Sequence, residues 1–281
     1  MYDDVVRFSE ARPNPSRAAD DQTVVLPLPM IGPVTGSSAS AFEGGRAPAL
    51  PDYLVRHYWW AYIWRPAVWF FDHQPIINSI VFGQYRKLTD GTLRLIGGRK
   101  AGDTLLIAAA YGNLIPRLAS SLAGQPLTVI DVAPIQLERA RVKLEKIGLA
   151  DRVRLRRMNA ERLAFADNSH DTSLFFLLLH ELPDEARRRA VSEALRVTRS
   201  GGHLVLAEYG ELTRTHWLHR LAPLRWIFGT AEPFLPSLWR QDLDALLAEQ
   251  AAALGKRVIR EERVSIFGGF YRTLRYRIEQ A

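Results

Sequence analysis

From residue 101 onward the chain alternates short apolar runs with longer stretches of helical period. TLLIAAA (104–110) reads as a buried strand and NLIPRLASSLAG as the helix after it. LTVID (127–131) is a second strand, and PIQLERARVKLEKIG is a basic amphipathic helix that Gly148 ends. RVRLRRM (152–158) and DTSLFFLLL (171–179) are the third and fourth strands. PDEARRRAVSEALRVT is a helix stopped by Ser200-Gly201-Gly202, and HLVLAEY (203–209) is a fifth strand. LDALLAEQAAALG reads as a further helix, and RVIREERVSIF and FYRTLRYRI as an antiparallel pair joined through Gly268-Gly269. Strands alternating with helices of this length predict an α/β, Rossmann-like fold. It has a mostly parallel sheet, helices on both faces and a C-terminal antiparallel strand pair.

Upstream the pattern is different. Residues 49–100 carry PDYLVRHYWWAYIWRPAVWFFDHQPIINSIVFGQYRKL, dense in Trp, Tyr and Phe. Pro66 and Pro75 divide it into short helical pieces, because each disfavours helix at the residue before it. Two readings stand side by side. The aromatics cap the core of the following domain, or they face a membrane or a lipid tail, where amphipathic aromatic rings suit an interface. On the second reading Tyr58, Trp59, Tyr62, Trp69 and Phe70 are candidate substrate contacts. Residues 1–48, rich in Pro, Gly, Ser and Ala without a period, are expected to be a flexible arm that VVLPLPMIGP pins to the body. RTHWLHRLAPLRWIFG, within 210–240, is either a lid or a second membrane-contact helix, with His216 and His219 in it.

Composition narrows the chemistry. The 281 residues are 47% hydrophobic and 24% charged, enough apolar material for a large core. There are no cysteines, which removes disulfides, thiolate metal sites and thiol catalysis. The net charge of +7 favours acidic partners such as anionic lipid, although arginine preference in coding accounts for it equally well. No nucleic-acid motif accompanies the charge, and no nucleic-acid partner is expected. No run approaches the ~18 apolar residues of a membrane span, and MYDDVVRFSE lacks an apolar leader, so a cytoplasmic location is expected, peripheral on the inner face of the cell membrane.

In doubly wound sheets ligands bind at the carboxyl ends of the strands. Three loops carry suitable residues there. AAAYGNL follows the first strand and supplies Ala108, Ala110, Tyr111 and Gly112. Asp131, with Val132 after it, ends the second strand 19 residues beyond Gly112, a spacing that suits a carboxylate on ribose hydroxyls. Asn159-Ala160 follows the third. A strand-end Asp alone is more often a turn or cap residue, but three such signals in order point to a nucleotide site.

RVRLRRMNAERLAFADNSHDTSLFF and EALRVTRSGGHLVLAEY resemble the matching stretch of ubiquinone/menaquinone C-methyltransferases and their class I relatives, over roughly residues 100–210. That resemblance implies S-adenosylmethionine as cofactor, with Asp131, Asn159-Ala160 and Phe176 at its contact positions. The first loop departs from the family: Leu106 holds the acidic position, and Ala108 and Ala110 hold two of three glycine positions. The aromatic segment, AAAYGNLIPRLA, DVAPIQL, FFLLLHELPDEARRRAVSEALRV and EPFLPSLW together resemble the rhodoquinone biosynthesis proteins across residues 53–240. Membership would imply conversion of ubiquinone to rhodoquinone, a ring methoxy exchanged for an amine taken from S-adenosylmethionine, with manganese(II) required. Leu106 fits that chemistry on paper, since a carboxylate beside the cofactor's amino group would hold it as non-nucleophilic ammonium.

For a manganese ion the oxygen and nitrogen donors His180, Glu181 and Glu208 are the candidate ligands. His180, Glu181 and Tyr111 are the candidate catalytic groups. His180 also reads as a helix-start residue bonded to backbone. Tyr209, His203 and the pair Asp72-His73 are weaker candidates. Conventional methyl transfer to a quinone or phenol, and a non-catalytic scaffold with this fold, are the alternatives.

Overall fold

The computed structural model describes residues 48–212, 216, 218 and 230–281. The N-terminal arm, apart from Pro48, and most of RTHWLHRLAPLRWIFG (214–229), His219 included, lie outside the described residues.

A seven-stranded sheet has the order β3-β2-β1-β4-β5-β7-β6. The strands are β1 (Thr104–Ile107), β2 (Leu127–Asp131), β3 (Val153–Arg157), β4 (His170–Phe176), β5 (Thr198–Tyr209), β6 (Lys256–Ile266) and β7 (Tyr271–Gln280). The first five are parallel, and β7 runs antiparallel between β5 and β6. β1 and β2 are buried along their whole length, as expected of central parallel strands covered on both faces. β3, at the edge, buries Val153 while Arg154 is exposed. Strand order reverses at β1 and β4, which opens a crevice beyond their carboxyl ends.

Two boundaries differ from the sequence pattern. β1 stops at Ile107 because Ala108 has φ +70°, which turns the chain out of the sheet. β5 starts at Thr198, before the Ser200-Gly201-Gly202 stop. There the Thr198 hydroxyl donates to Ala194 O at 2.6 Å as the helix ends, and the backbone turns extended to pair with His170. Gly202 then lies inside a strand, where a Cβ would fall 2.4 Å from Asp171 O.

Helices α4 (Tyr85–Ile96), α5 (Leu114–Ser121) and α6 (Pro134–Glu145) contact one another in succession and form one helical layer. α7 (Asp184–Val197) packs on the C-terminal helix Leu243–Ala253 in the other. Before α4 the chain runs through a π-helical turn (Leu54–Tyr58), α1 (Trp59–Tyr62), α2 (Arg65–Phe71) and α3 (Gln74–Ile80). Pro66 and Pro75 fall in the first turns of α2 and α3, where the missing N–H costs nothing. This segment has two faces. Tyr58, Ala61, Ala67, Val68 and Asp72 point inward, whereas Trp59, Trp60, Trp64, Trp69 and Phe70 keep 43 to 56% of their surface exposed. The inward side chains cap the core of the domain, as the first reading of the aromatic stretch expects, and the outward ones leave an exposed aromatic face.

Candidate functional site

The carboxyl ends of β1, β2 and β3 meet the π-helical turn over one cavity. Ala108, Ile130, Asp131, Val132, Met158, Asn159 and Ala160 form its floor, and Tyr53, Leu54, Tyr58, Leu178, Glu181 and Leu182 complete the wall. Asp131 is the organising group. Its Oδ2 accepts from Ala109 N–H at 2.9 Å and its Oδ1 from Ala133 N–H at 2.8 Å, which ties the first two loops together. Burial raises its pKa to about 6 against the pull of those N–H groups. The Val132 N–H also bears on the carboxylate, which still has acceptor capacity for a ribose hydroxyl.

Of the expected cofactor positions, Ala108, Asp131, Val132, Asn159 and Ala160 line this cavity; Ala110, Tyr111, Gly112 and Phe176 do not. Phe176 packs edge-on against Tyr85. Tyr111 stacks on Tyr62 at 5.4 Å, accepts from Gln136 Nε2 at 3.0 Å and donates to Ala61 O. Among the expected substrate contacts Tyr58 and Tyr62 face inward, and Trp59, Trp69 and Phe70 face outward. Leu106 lies in the sheet between Val129 and Leu174, fully buried, and is not on the cavity wall. Asp at position 106 would therefore put an unpaired carboxylate in an apolar core and test folding rather than chemistry.

Next to the cavity is a buried acid–histidine cluster. Glu208 Oε1 lies 2.7 Å from His180 Nδ1, and Glu208 accepts from the backbone N–H of His180 at 3.3 Å and of Tyr209 at 2.8 Å. Burial lowers the His180 pKa, but the adjoining Glu208 carboxylate outweighs it and holds the imidazole at about 9. Glu181, whose Oε1 lies 3.9 Å from His180 Nε2, accepts from Tyr62 OH and is raised by burial to about 8. Glu232, which the sequence pattern did not single out, accepts from Tyr58 OH at 3.1 Å, and Tyr53 OH reaches Glu161 at 3.2 Å. Buried Arg187 fixes this turn by donating to Leu179 O and Leu182 O, each at 2.8 Å.

Glu208 is thus committed to His180 and the backbone. Among the described residues no group of three or more His, Asp or Glu side chains is disposed to hold a metal ion. His180, Glu181 and Glu208 adjoin one another but do not fit manganese as arranged. The structure does give Glu181 a testable signature. A carboxyl raised from 4.5 to about 8 stabilises the fold below 4.5, and that contribution is lost as pH rises through 8. Differential scanning fluorimetry should therefore show Glu181→Gln gaining in Tm over the parent across that window. A constant difference would place Glu181 in contact with solvent.

Residues 105–202 match the family described as a methyltransferase domain. With that match, the strand order and the cavity at the switch point agree. The fold is that of the class I methyltransferases. Phosphatidylethanolamine N-methyltransferase of Cereibacter sphaeroides is 34% identical over 110 residues, 39% of this chain and 52% of that protein. The ubiquinone/menaquinone biosynthesis C-methyltransferase UbiE of Pseudoalteromonas translucida is 30% identical over 139 residues, 48% of this chain and 54% of that protein. The chain spans about half the length of these curated relatives. Among solved structures the cyclase SpnF superimposes with a TM-score of 0.53 at 20% identity, covering 76% of this chain and 96% of SpnF. The mitomycin 7-O-methyltransferase MmcR gives 0.51 at 17% identity, covering 76% and 60%. These two likenesses concern the methyltransferase fold alone.

Proposed function

We propose that this protein is an S-adenosylmethionine-dependent transferase acting on a lipid quinone or its phenolic precursor, and that the group moved is methyl. The observation that carries the reading is the single cavity holding Ala108, Asp131, Val132, Asn159 and Ala160, with Glu181 and Tyr58 on its wall. When bound, the cofactor would supply an electrophilic methyl group on sulfonium. Asp131 would accept from its ribose hydroxyls, and Asn159 would meet the adenine edge. A phenolic acceptor must lose a proton to become nucleophilic, and Glu181 on the cavity wall is the group placed to take it in its ionised form, which its raised pKa of about 8 confines to alkaline pH. Two of the similar proteins carry names for lipid-soluble acceptors, a phospholipid amine and quinone precursors, which supports this substrate class.

The exposed face of Trp59, Trp60, Trp64, Trp69 and Phe70 supports peripheral docking on a membrane that holds such a substrate. No helix among the described residues is long and apolar enough to cross a membrane. Arg56 and Lys87, exposed on the same stretch, favour an anionic surface, as on the inner face of a cell membrane.

One observation favours a second reading, amination of ubiquinone to rhodoquinone. The cofactor loop has Ala108 and Ala110 at two glycine positions, and its Tyr111 is bonded into the aromatic segment that carries part of the resemblance to the rhodoquinone proteins. That resemblance brings manganese with it; the described residues do not form its site, and no step is routed through a metal. Product mass separates the readings. After incubation with S-adenosylmethionine and a short-tail quinone or quinol, methyl transfer adds a methylene mass and survives chelator. Exchange of methoxy for amino lowers the mass. No product with any such acceptor would reject both.

A further inference from the structure

The cofactor loop is held by a group that does not belong to the methyltransferase domain. Asp72, at the C-terminal end of α2, has a side chain 1% exposed. Its Oδ1 accepts from Gly112 N–H at 3.1 Å and from Lys143 Nζ at 2.7 Å, and its Oδ2 from Arg139 Nε at 3.1 Å. Lys143 Nζ also donates to Gly112 O at 2.9 Å. Both sides of the Gly112 residue are thus gripped, its N–H by the acid and its carbonyl by the lysine. Tyr85 completes the clamp, donating to Tyr111 O at 2.6 Å and accepting from Leu114 N–H at 3.0 Å. Gly112 itself has φ +74°, and a Cβ there would meet the Tyr85 ring at 2.8 Å.

An acid at the end of a helix opposes the helix dipole, whose C-terminus is already negative. Nothing in α2 favours Asp72, and its partners all lie in the loop or on α6. The loop, for its part, lacks the glycines that usually shape it: Ala108 adopts φ +70° with a Cβ present. The restraint that glycines would supply comes from outside.

We propose that Asp72 and Lys143 are positioning residues for the cofactor loop, so that docking of the aromatic segment on the domain sets the shape of the cofactor site. The proposal rests on the reading that this loop borders an S-adenosylmethionine pocket. It also makes the segment that meets the lipid and the loop that borders the cofactor one mechanical unit.

The test is calorimetric titration of S-adenosylhomocysteine into the full chain, at a temperature where every variant is folded by circular dichroism. Asp72→Asn and Lys143→Gln should each weaken binding about 10-fold, the effect of one lost charge-assisted bond. The double variant should be little worse than either single, because the two act on the same residue, Gly112, and bond to each other. Glu138→Gln is the control. It breaks the exposed Arg65–Glu138 pair, which also joins α2 to α6, and should leave affinity unchanged. Parent-like affinity in both single variants, or losses that add fully, would overturn the proposal. So would an equal loss in Glu138→Gln, which would mean that general loosening of the segment is responsible. If Asp72→Asn does not fold, Lys143→Gln decides alone. If the parent protein does not bind S-adenosylhomocysteine, the underlying functional reading fails first, and that result is distinct from all the others.

Discussion

Asp131→Asn is expected to weaken S-adenosylhomocysteine binding by about 10- to 100-fold with the fold intact. Each charge-assisted hydrogen bond to a ribose hydroxyl is worth roughly 1.5–3 kcal/mol, and the substitution removes the charge while keeping one acceptor oxygen. The new amide also presents N–H toward Ala109 N–H or Ala133 N–H, which now bond to the carboxylate at 2.9 and 2.8 Å. A modest fall in Tm should accompany the loss. The pH dependence is diagnostic. With a pKa of about 6, Asp131 is an ionised acceptor above that pH, and affinity in the parent protein should fall as pH drops through 6. The Asn variant should show no such step. Equal affinities for parent and variant from pH 5 to 8 would mean that the ribose is held elsewhere.

The second large effect concerns the tryptophan face. Replacing Trp59, Trp60, Trp64 and Trp69 together by Ser should lower association with anionic vesicles at least about 100-fold. Each ring has 43 to 56% of its surface available, and about 25 cal/mol per Å² of apolar area leaves water on insertion. Because about half of each side chain is buried, with Trp60 against Phe71 and Trp69 against His73, Tm should fall as well, and binding is compared at a temperature where the variant is folded. Turnover with a water-soluble, tail-free acceptor should persist, while turnover of a long-tail quinone in vesicles should fall. Vesicle binding that survives the fourfold substitution, measured by sedimentation at low and physiological salt, would show that the basic residues alone attract the lipid.

The five parallel strands and their helices were legible because period and length are local properties, and the prolines marked α2 and α3 for the same reason. Asp131, Asn159 and Ala160 could be placed because a strand end fixes where its next residue goes. The rest depended on contacts far apart in sequence. Asp72 reads as a helix end until its partners on α6 and Gly112 are seen 40 residues and more away. Glu232 joins the site through Tyr58, 174 residues away in sequence, and through the field it shares with His180 and Glu181. Leu106 misled for a related reason: its position in the motif suggested a cofactor contact, but its strand neighbours place it in the core. Tyr111, a large aromatic in the first loop, finds its partners in Tyr62 and Ala61 of the aromatic segment, some 50 residues upstream.

The claim on which the rest depends is that the cavity at the ends of β1, β2 and β3 is an S-adenosylmethionine site. Calorimetric titration of the purified full chain with S-adenosylhomocysteine, and in parallel with NAD, tests it most directly. The account predicts saturable one-site binding of the first and none of the second. Absence of S-adenosylhomocysteine binding, or binding of NAD in its place, would contradict it.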